Sequence, residues 1–310
     1  MLSQAEVLCA FDRSDPLRVA ELPRGYQGQF GPGLKALVLA LYFGGQMSEP
    51  KTRSVEFLVA QRAGVQISDG ELSNLLIKDQ EAFHAEKGAV YEAGLRSSPW
   101  QHTDDTQTRV NGQNQHCHVV CNPVYTAYQT KPTKERLTVL DVLRNGRERR
   151  FRLNHEALGY LAGVPLPHAA CQTLAAWCSE ADLDEPSFLK RLAAALPNLG
   201  GPQRQAIVDA AAIAAYHAET DFPVVQALVC DDAPQFNWLT RDRRLCWIHE
   251  GRAYKKLLPV VGLHREQLDD FVKRFWEYYD QLLSYRQQPG PQDRARLAAA
   301  FDSLFSTHTG

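Results

Sequence analysis

Two pairs of neighbouring aspartates have the residue types and the setting of a divalent cation site. Asp104-Asp105 lies inside a β-like run that starts at Trp100, and Asp231-Asp232 directly follows the apolar run from Val224 to Cys230. Carboxylates are the ligands that Mg²⁺ and Mn²⁺ prefer over the softer donors. Two strands that end in aspartates therefore predict a Mg²⁺ or Mn²⁺ site. A third pair, Asp269-Asp270, lies in a helical pattern with no strand before it, and we interpret it as surface.

The elements around the first pair predict how the two strands meet. Gln101–Val110, Gln115–Asn122 and Tyr125–Thr130 are β-prone runs separated by Asn-Gly and Asn-Pro turn signals, which predicts an antiparallel meander. Arg136–Arg144 has the apolar spacing of an amphipathic helix, and the strand before Asp231 follows it in the order of elements. Three strands, a helix and a strand are the order in which an RNase H-like core begins.

In that arrangement the first and fourth strands are neighbours. Asp104 and Asp231 are then expected to meet, although 127 positions separate them (231 minus 104). Metal ions held there stabilise the attacking and leaving oxygens of a phosphodiester displacement. The expected chemistry is the cutting or joining of DNA.

Longer motifs resemble a known family. The stretch from Gly25 to Val142 contains GQFGPGLKALVLALYFGGQMSEPK, ISDGELSNLLI and SSPWQHTDDTQTRVNGQNQHCHVVCNP, and it resembles transposases of the insertion-sequence-66 type. Leu245–Tyr254 reads LCWIHEGRAY, which resembles the Cys-Trp-x-His-x-x-Arg-(Lys/Ala)-(Phe/Tyr) signature that follows the second catalytic aspartate in that family. The resemblance covers most of the chain.

The resemblance implies a DDE transposase, in which an RNase H-like domain uses two aspartates, one glutamate and Mg²⁺ or Mn²⁺ to nick transposon ends and transfer them to target DNA. By motif, the two aspartates are Asp104 and Asp231. Asp105 stands where many relatives have glutamate and Asp232 where they often have glycine, so we treat both as neighbours of the ligands. The implied partners are double-stranded DNA and further copies of the chain, and His249 is a candidate for supporting the site.

The third carboxylate is where the chain departs from the family. Relatives carry it in an Asn-Asn-x-x-Glu motif after a helical insertion, whereas this chain has no Asn-Asn pair, and the residues after Pro259 resemble the start of the insertion. The stretch before Leu22 is also shorter than in relatives. We therefore expect a partial or inactive transposase copy. Two alternatives stay open: a self-contained nuclease that uses Glu266 or Glu250, and a non-catalytic DNA-binding protein derived from a transposase.

The predicted fold class is α/β, an RNase H-like mixed sheet with a helical N-terminal region and helical insertions. We expect a mostly helical region over residues 1–98, a core over 99–258 interrupted by a helical insert at 152–222, and a helical segment over 259–310. Residues 49–79 resemble a helix-turn-helix, and Ser68 with Glu71 forms a capping-box pattern at its second helix. That helix is acidic, which favours packing or dimer contact over reading of DNA. The apolar stripe of Arg265–Tyr285 is expected to be exposed if its partner helices are missing.

Basic clusters are the candidates for phosphate contact, because the net charge of the 310-residue chain is −2. We expect the second cluster to contact DNA beside the metal and the first to be mainly surface. The first comprises Arg144, Arg147, Arg149, Arg150 and Arg152, and the second comprises Arg241, Arg243, Arg244, Arg252, Lys255 and Lys256.

Composition and cysteine usage bound the class of protein. A content of 44% hydrophobic and 23% charged residues is typical of a globular chain, and no apolar run is long enough for a bilayer. We expect a cytoplasmic, nucleoid-associated protein without a membrane partner or a nucleotide cofactor. His116, Cys117, His118 and Cys121 suggest zinc, but alternation along a strand separates the histidines from the cysteines, so core packing is the favoured interpretation.

Overall fold

The structure, a computed structural model, describes residues 30–54 and 67–306, and the chain divides into two compact units, residues 1–86 and 87–310. The predicted helix-turn-helix at 49–79 lies partly outside the described residues, as do the start of the chain through residue 29 and residues 307–310. None of the helices in the described ranges combines the length and the apolar composition needed to cross a bilayer.

The first unit, as far as it is described, is helical. Helix α1 (Pro32–Leu39) continues into a π-helical turn (Ala40–Gly44), residues 49–54 are helical, and α2 spans Asp69–Ile77. Ser68 caps α2 as predicted, because its hydroxyl accepts a hydrogen bond from the Glu71 amide. Val38, Leu72 and Leu76 form a small buried cluster. Helix α3 (Glu81–Arg96) crosses the boundary between the units.

The second unit begins with the predicted meander. It consists of strands β1 (Trp100–Val110), β2 (Gln113–Asn122) and β3 (Tyr125–Lys131), and each strand pairs antiparallel with the next one in the chain. Asn111 and Gly112 join β1 to β2 with φ values of 51° and 76°, the conformation that a two-residue hairpin turn requires and that Asn-Gly adopts readily. Helix α4 (Arg136–Leu143) follows and buries its apolar face, so the meander and this helix are confirmed.

The predicted insert contributes helices to the main core. It contains four helices: α5 (His155–Leu161), α6 (His168–Ala176), α7 (Glu185–Ala195) and α8 (Gly201–His217). Strand β4 (Arg150–Phe151), just before the insert, pairs antiparallel with β5 (Leu183–Asp184) within it. Every residue of α8 from 207 to 216 is buried. Helix α8 shares one apolar cluster with Val120 and Leu228 of the sheet, so the insert packs on the sheet.

The large sheet is completed by two parallel strands. Strand β6 (Ala227–Cys230) pairs with β1, and β7 (Asp242–Leu245) pairs with β6, which gives the order β3-β2-β1-β6-β7 with β2 antiparallel to its neighbours. The expected adjacency of the first strand and the strand before Asp231 is therefore confirmed. The sequence did not predict β7, because its four residues are all exposed and carry no apolar alternation.

Three helices after β7 form a second cluster. Helices α9 (Trp247–Tyr254), α10 (Gly262–Gln287) and α11 (Pro291–Phe305) enclose Phe275, Tyr278 and Leu297. The α10 stripe is expected to be exposed only if its partner helices are missing; α9 and α11 are present and pack on it, and Phe275 is fully buried. Asp269 and Asp270 lie on the exposed side of α10, as predicted.

Candidate functional site

Asp104 lies on the face of β1 opposite the main core. Gln101 and Thr103 are buried on the core side, whereas the Asp104 side chain is 58% exposed. The pairing of His102 with Val229 has an offset of 127, and the same offset connects Asp104 to Asp231. Neighbouring strands lie about 4.8 Å apart, and residues in matching register of parallel strands share a face. Strand β6 ends at Cys230, so Asp231 lies one residue beyond the paired strand, and continuing the register of β1 and β6 leads to it from Asp104.

Asp231 is the first residue after β6, and a local turn orients its carboxylate. Its Oδ1 accepts a hydrogen bond from the Ala233 amide at 3.0 Å, the geometry of an Asx turn. Asp232 differs, because it is mostly exposed and Arg243 of β7 donates to it at 3.0 Å. Asp231 keeps a carboxylate oxygen for a ligand, and Asp232 is engaged by a cation.

Asp105 points to the opposite face from Asp104. Its side chain is 10% exposed and lies 3.6 Å from His116 Nδ1 and 3.7 Å from Lys134 Nζ. Gln235 donates to its Oδ2 at 3.5 Å. Two consecutive aspartates therefore have different environments: Asp105 contacts His116, Lys134 and Gln235 within the fold, and Asp104 faces solvent.

His249 is the side chain that α9 brings to Asp104. Its Nε2 lies 3.7 Å from Asp104 Oδ2, and its Nδ1 is buried without a hydrogen-bond partner among the described residues. Helix α9 is held against α10 by Trp247, which stacks on Phe275 with 4.3 Å between ring centroids. The packing of α9 thus sets the distance between this imidazole and the first aspartate.

Neither candidate third carboxylate joins the pair. Glu250 hydrogen bonds with Tyr254 on the same helix, and burial together with this contact raises the pKa of Tyr254. Glu266 is exposed in the first turns of α10. Within residues 30–54 and 67–306, no three His, Cys, Asp or Glu side chains are grouped to hold a metal ion.

The strand positions of the histidines and cysteines explain the absence of a zinc set in this region. His118 is buried on the core face of β2, and burial lowers its pKa while its Nε2 lies 3.1 Å from the Thr133 carbonyl. Cys117 and Cys121 occupy the alternate positions of the strand and so point to the other face. The interpretation of these residues as packing is consistent with this alternation.

The two basic clusters differ in how many of their positive charges form ion pairs with carboxylates of the protein. In the first cluster buried Arg144 pairs with half-buried Glu219, Arg149 with Asp141, and Arg152 with Asp182. In the second, Arg243 and Arg244 contact Asp232 and Asp242, whereas Arg252, Lys255 and Lys256 form no ion pair with the described carboxylates. The second cluster therefore keeps more positive charge available to an external anion.

Hydrogen bonds and a cation–π contact fix the segment between Asp231 and β7. The sequence did not identify the side chains that make them. Arg136 donates to Asp209 Oδ2 at 2.7 Å and to the Pro234 carbonyl at 2.8 Å, and its guanidinium lies 4.5 Å from the Trp238 ring centroid. Burial raises the pKa of Asp209 in spite of this pair. The partners lie on α4, α8 and the β6–β7 connection, so no local sequence signal could have connected them.

Trp238 is the strained residue of this segment. Its φ of 71° is unfavourable for a bulky side chain, and Tyr160 stacks on its ring at 5.5 Å while Arg136 covers it. His217 adds a contact to the next residue, because its Nε2 lies 3.0 Å from the Leu239 carbonyl. Tertiary contacts thus stabilise the backbone that leaves Asp231.

Comparison with known proteins identifies one uncharacterized relative. The chain is 28% identical over 221 residues to the uncharacterized protein y4jO of Sinorhizobium fredii (strain NBRC 101917 / NGR234). The aligned residues cover 71% of this chain and 68% of the relative. No protein-family model matches the chain, and no solved structure matches it. Since the relative's name describes no activity, the function rests on the site.

Proposed function

We propose that this chain is a DDE-type transposase built on an RNase H-like core, which cuts and joins DNA by metal-dependent phosphodiester transfer. The observation that supports the proposal most is the parallel pairing of β1 with β6 at an offset of 127, which continues in register toward Asp104 on β1 and Asp231 just after β6. The order β3-β2-β1-β6-β7, with β2 antiparallel to its neighbours, supports the RNase H-like assignment.

The two aspartates fit a hard divalent cation. Both supply carboxylate oxygens, neither forms an ion pair with a described lysine or arginine, and Asp104 is open to solvent. Mg²⁺ or Mn²⁺ bound here would supply Lewis-acid stabilisation of charge on phosphodiester oxygens. Asp104 and Asp231 would hold the ion, His249 would orient the Asp104 carboxylate, and cations of the second cluster would bind phosphates. The partners in this proposal are double-stranded DNA, as transposon ends and target, and further copies of the chain.

The described residues supply two carboxylates of the DDE set. The lack of a third carboxylate grouped with them in residues 30–54 and 67–306 favours, as a second candidate, a DNA-binding protein derived from a transposase that has no catalytic activity of its own. The nuclease alternative needs Glu266 or Glu250 to reach the pair. The three candidates make different predictions for metal binding and nicking.

The first experiment measures Mn²⁺ binding and nicking of labelled duplex DNA by the full chain. Asp104→Asn and Asp231→Asn should each lower Mn²⁺ affinity by at least roughly 10–100-fold, because even the loss of a residue that hydrogen bonds to a metal ligand has an effect of that size. Each variant should also abolish any nicking. DNA binding in EDTA should survive both changes, because the phosphate-binding cations are untouched. Asp269→Asn is the matched control, since it removes an exposed carboxylate from α10.

Each outcome selects one candidate. Wild-type nicking that Glu266→Gln abolishes would identify the self-contained nuclease. DNA binding without Mn²⁺ binding would identify the non-catalytic protein. Mn²⁺ affinity equal in wild type, Asp104→Asn and Asp231→Asn would contradict the proposed metal site and the transposase function that depends on it.

A further inference from the structure

The connection between α9 and α10 exposes an unusual number of apolar side chains. We define loop 255–265 as the residues that follow the end of α9, connect the two helices and form the first turn of α10. Its apolar members are 53–96% exposed, whereas single exposed apolar residues are the ordinary case. They are Leu257, Leu258, Val260, Val261 and Leu263.

Cations without carboxylate partners flank these apolar residues. Lys255 lies 5.6 Å from the Trp276 ring centroid, and Arg265 donates to the Pro259 carbonyl at 3.4 Å. Arg252 and Lys256 are exposed, and none of the four forms an ion pair with a described carboxylate. The nearest acids in sequence are Glu250, which is engaged by Tyr254, and Glu266. The loop therefore presents positive charge around an apolar tip.

The loop is also close to the aspartate pair. His249 Nε2 lies 3.7 Å from Asp104, and Lys255 follows His249 by six residues. At 1.5 Å per helical residue, these two backbone positions are about 9 Å apart along α9. That distance is smaller than the width of a DNA major groove, about 12 Å. A duplex engaged at Asp104 and Asp231 would pass next to the loop.

We propose that loop 255–265 is a DNA-docking element, in which the cations bind backbone phosphates and the apolar tip inserts against unstacked bases near the site of cleavage. This inference rests on the proposed function and adds a partner surface to it. Apolar wedges flanked by basic residues are an established way for proteins to unstack a base step. Charge complementarity to the phosphates and the position beside the aspartates favour DNA over an anionic lipid surface or a second copy of the chain.

The test uses the full chain and two loop variants with separate expected results. Lys255→Gln/Lys256→Gln should weaken duplex binding and lower the slope of log affinity against log salt by about 1.8, since each phosphate contact contributes about 0.9. Leu258→Ser/Val260→Ser should leave that slope unchanged, weaken binding to a duplex with a mismatched step by about tenfold, and remove the fluorescence increase of 2-aminopurine placed at that step. Both measurements are made in EDTA, so that they do not depend on metal.

Val124→Ser is the matched control, because Val124 is 74% exposed in the turn between β2 and β3. It should bind DNA as the wild type does. All substituted side chains are exposed, and an unchanged thermal unfolding midpoint verifies the fold.

Three results would overturn the inference. The wild type does not bind DNA, the loop variants bind DNA as the control does, or the loop variants lose only their binding to anionic vesicles or their self-association. Failure of the proposed function is read separately, as Mn²⁺ affinity that Asp104→Asn leaves unchanged. The two failures are therefore distinguishable.

Discussion

At the residue scale, the alternation of a strand separates the roles of two identical neighbours. Asp104 and Asp105 have the same chemistry, but one is largely exposed near His249 and the other contacts His116 and Lys134 on the core side. A site carboxylate is open to a ligand, whereas a structural carboxylate has its charge matched by the fold. The two aspartates should therefore respond differently to the same substitution.

Asp105→Asn should destabilise the protein by about 1–3 kcal/mol, because it removes a mostly buried carboxylate that contacts partly buried His116. Asp104→Asn should change the free energy of unfolding by less than about 0.5 kcal/mol, since its side chain is largely exposed. Urea unfolding of both variants measures this difference. A larger loss for Asp104→Asn would show that Asp104 has the structural role.

At the element scale, the distance between α9 and α10 determines where His249 lies. Gly251 permits the close approach, because a Cβ at this position would lie 2.3 Å from Trp276 Cζ2 and 3.0 Å from a Phe275 ring atom. The first turn of α9 is fixed by the stacking of Trp247 on Phe275. Glycine at residue 251 therefore affects the aspartate site through the packing of a helix.

Gly251→Ala should force α9 away from α10 and cost about 1–3 kcal/mol, the usual penalty for overpacking a core. Gly262→Ala is the control, because a Cβ there meets no atom within 4 Å. Thermal unfolding should show a lower midpoint only for Gly251→Ala, and this variant should also show altered Mn²⁺ affinity. An unchanged midpoint for Gly251→Ala would mean that the Trp276 ring moves aside at no cost.

At the scale of the whole molecule, each of the two units has its own buried cluster. The main cluster draws its buried members from Tyr91 to Leu239, and the helices after β7 add a second one within the same unit. Val38, Leu72 and Leu76 form the cluster of the first unit. Since the aspartate pair lies on β1 and after β6, its supporting structure belongs to the second unit.

A fragment of residues 80–310, which keeps α3 whole, should fold by itself and bind Mn²⁺ with the affinity of the full chain. The reason is that the sheet, its covering helices and the site residues are all present. Circular dichroism during heating and Mn²⁺ titration measure both properties. A fragment that melts without cooperativity or binds the dye ANS would show that residues 1–79 complete the core of the second unit.

The sequence by itself determined the local elements. The Asn111-Gly112 turn, the meander around it, and helices α4, α8 and α10 follow from alternation, helical periodicity and turn chemistry, which depend on residues close together in the chain. The two aspartate positions at strands were visible for the same reason. Strand β7 was missed because its exposed, charged residues lack the apolar alternation of a buried strand.

Tertiary structure alone decided the register, the supporting contacts and the covering of α10. Several features join residues from distant parts of the chain. They are the register of β1 against β6, the contact of His249 with Asp104, and the hydrogen bonds of Arg136 to Asp209 and Pro234. The packing of α11 on α10 likewise depends on how the helices meet. Periodicity reports which face of an element is buried, but the identity of the neighbour depends on packing that the complete fold selects.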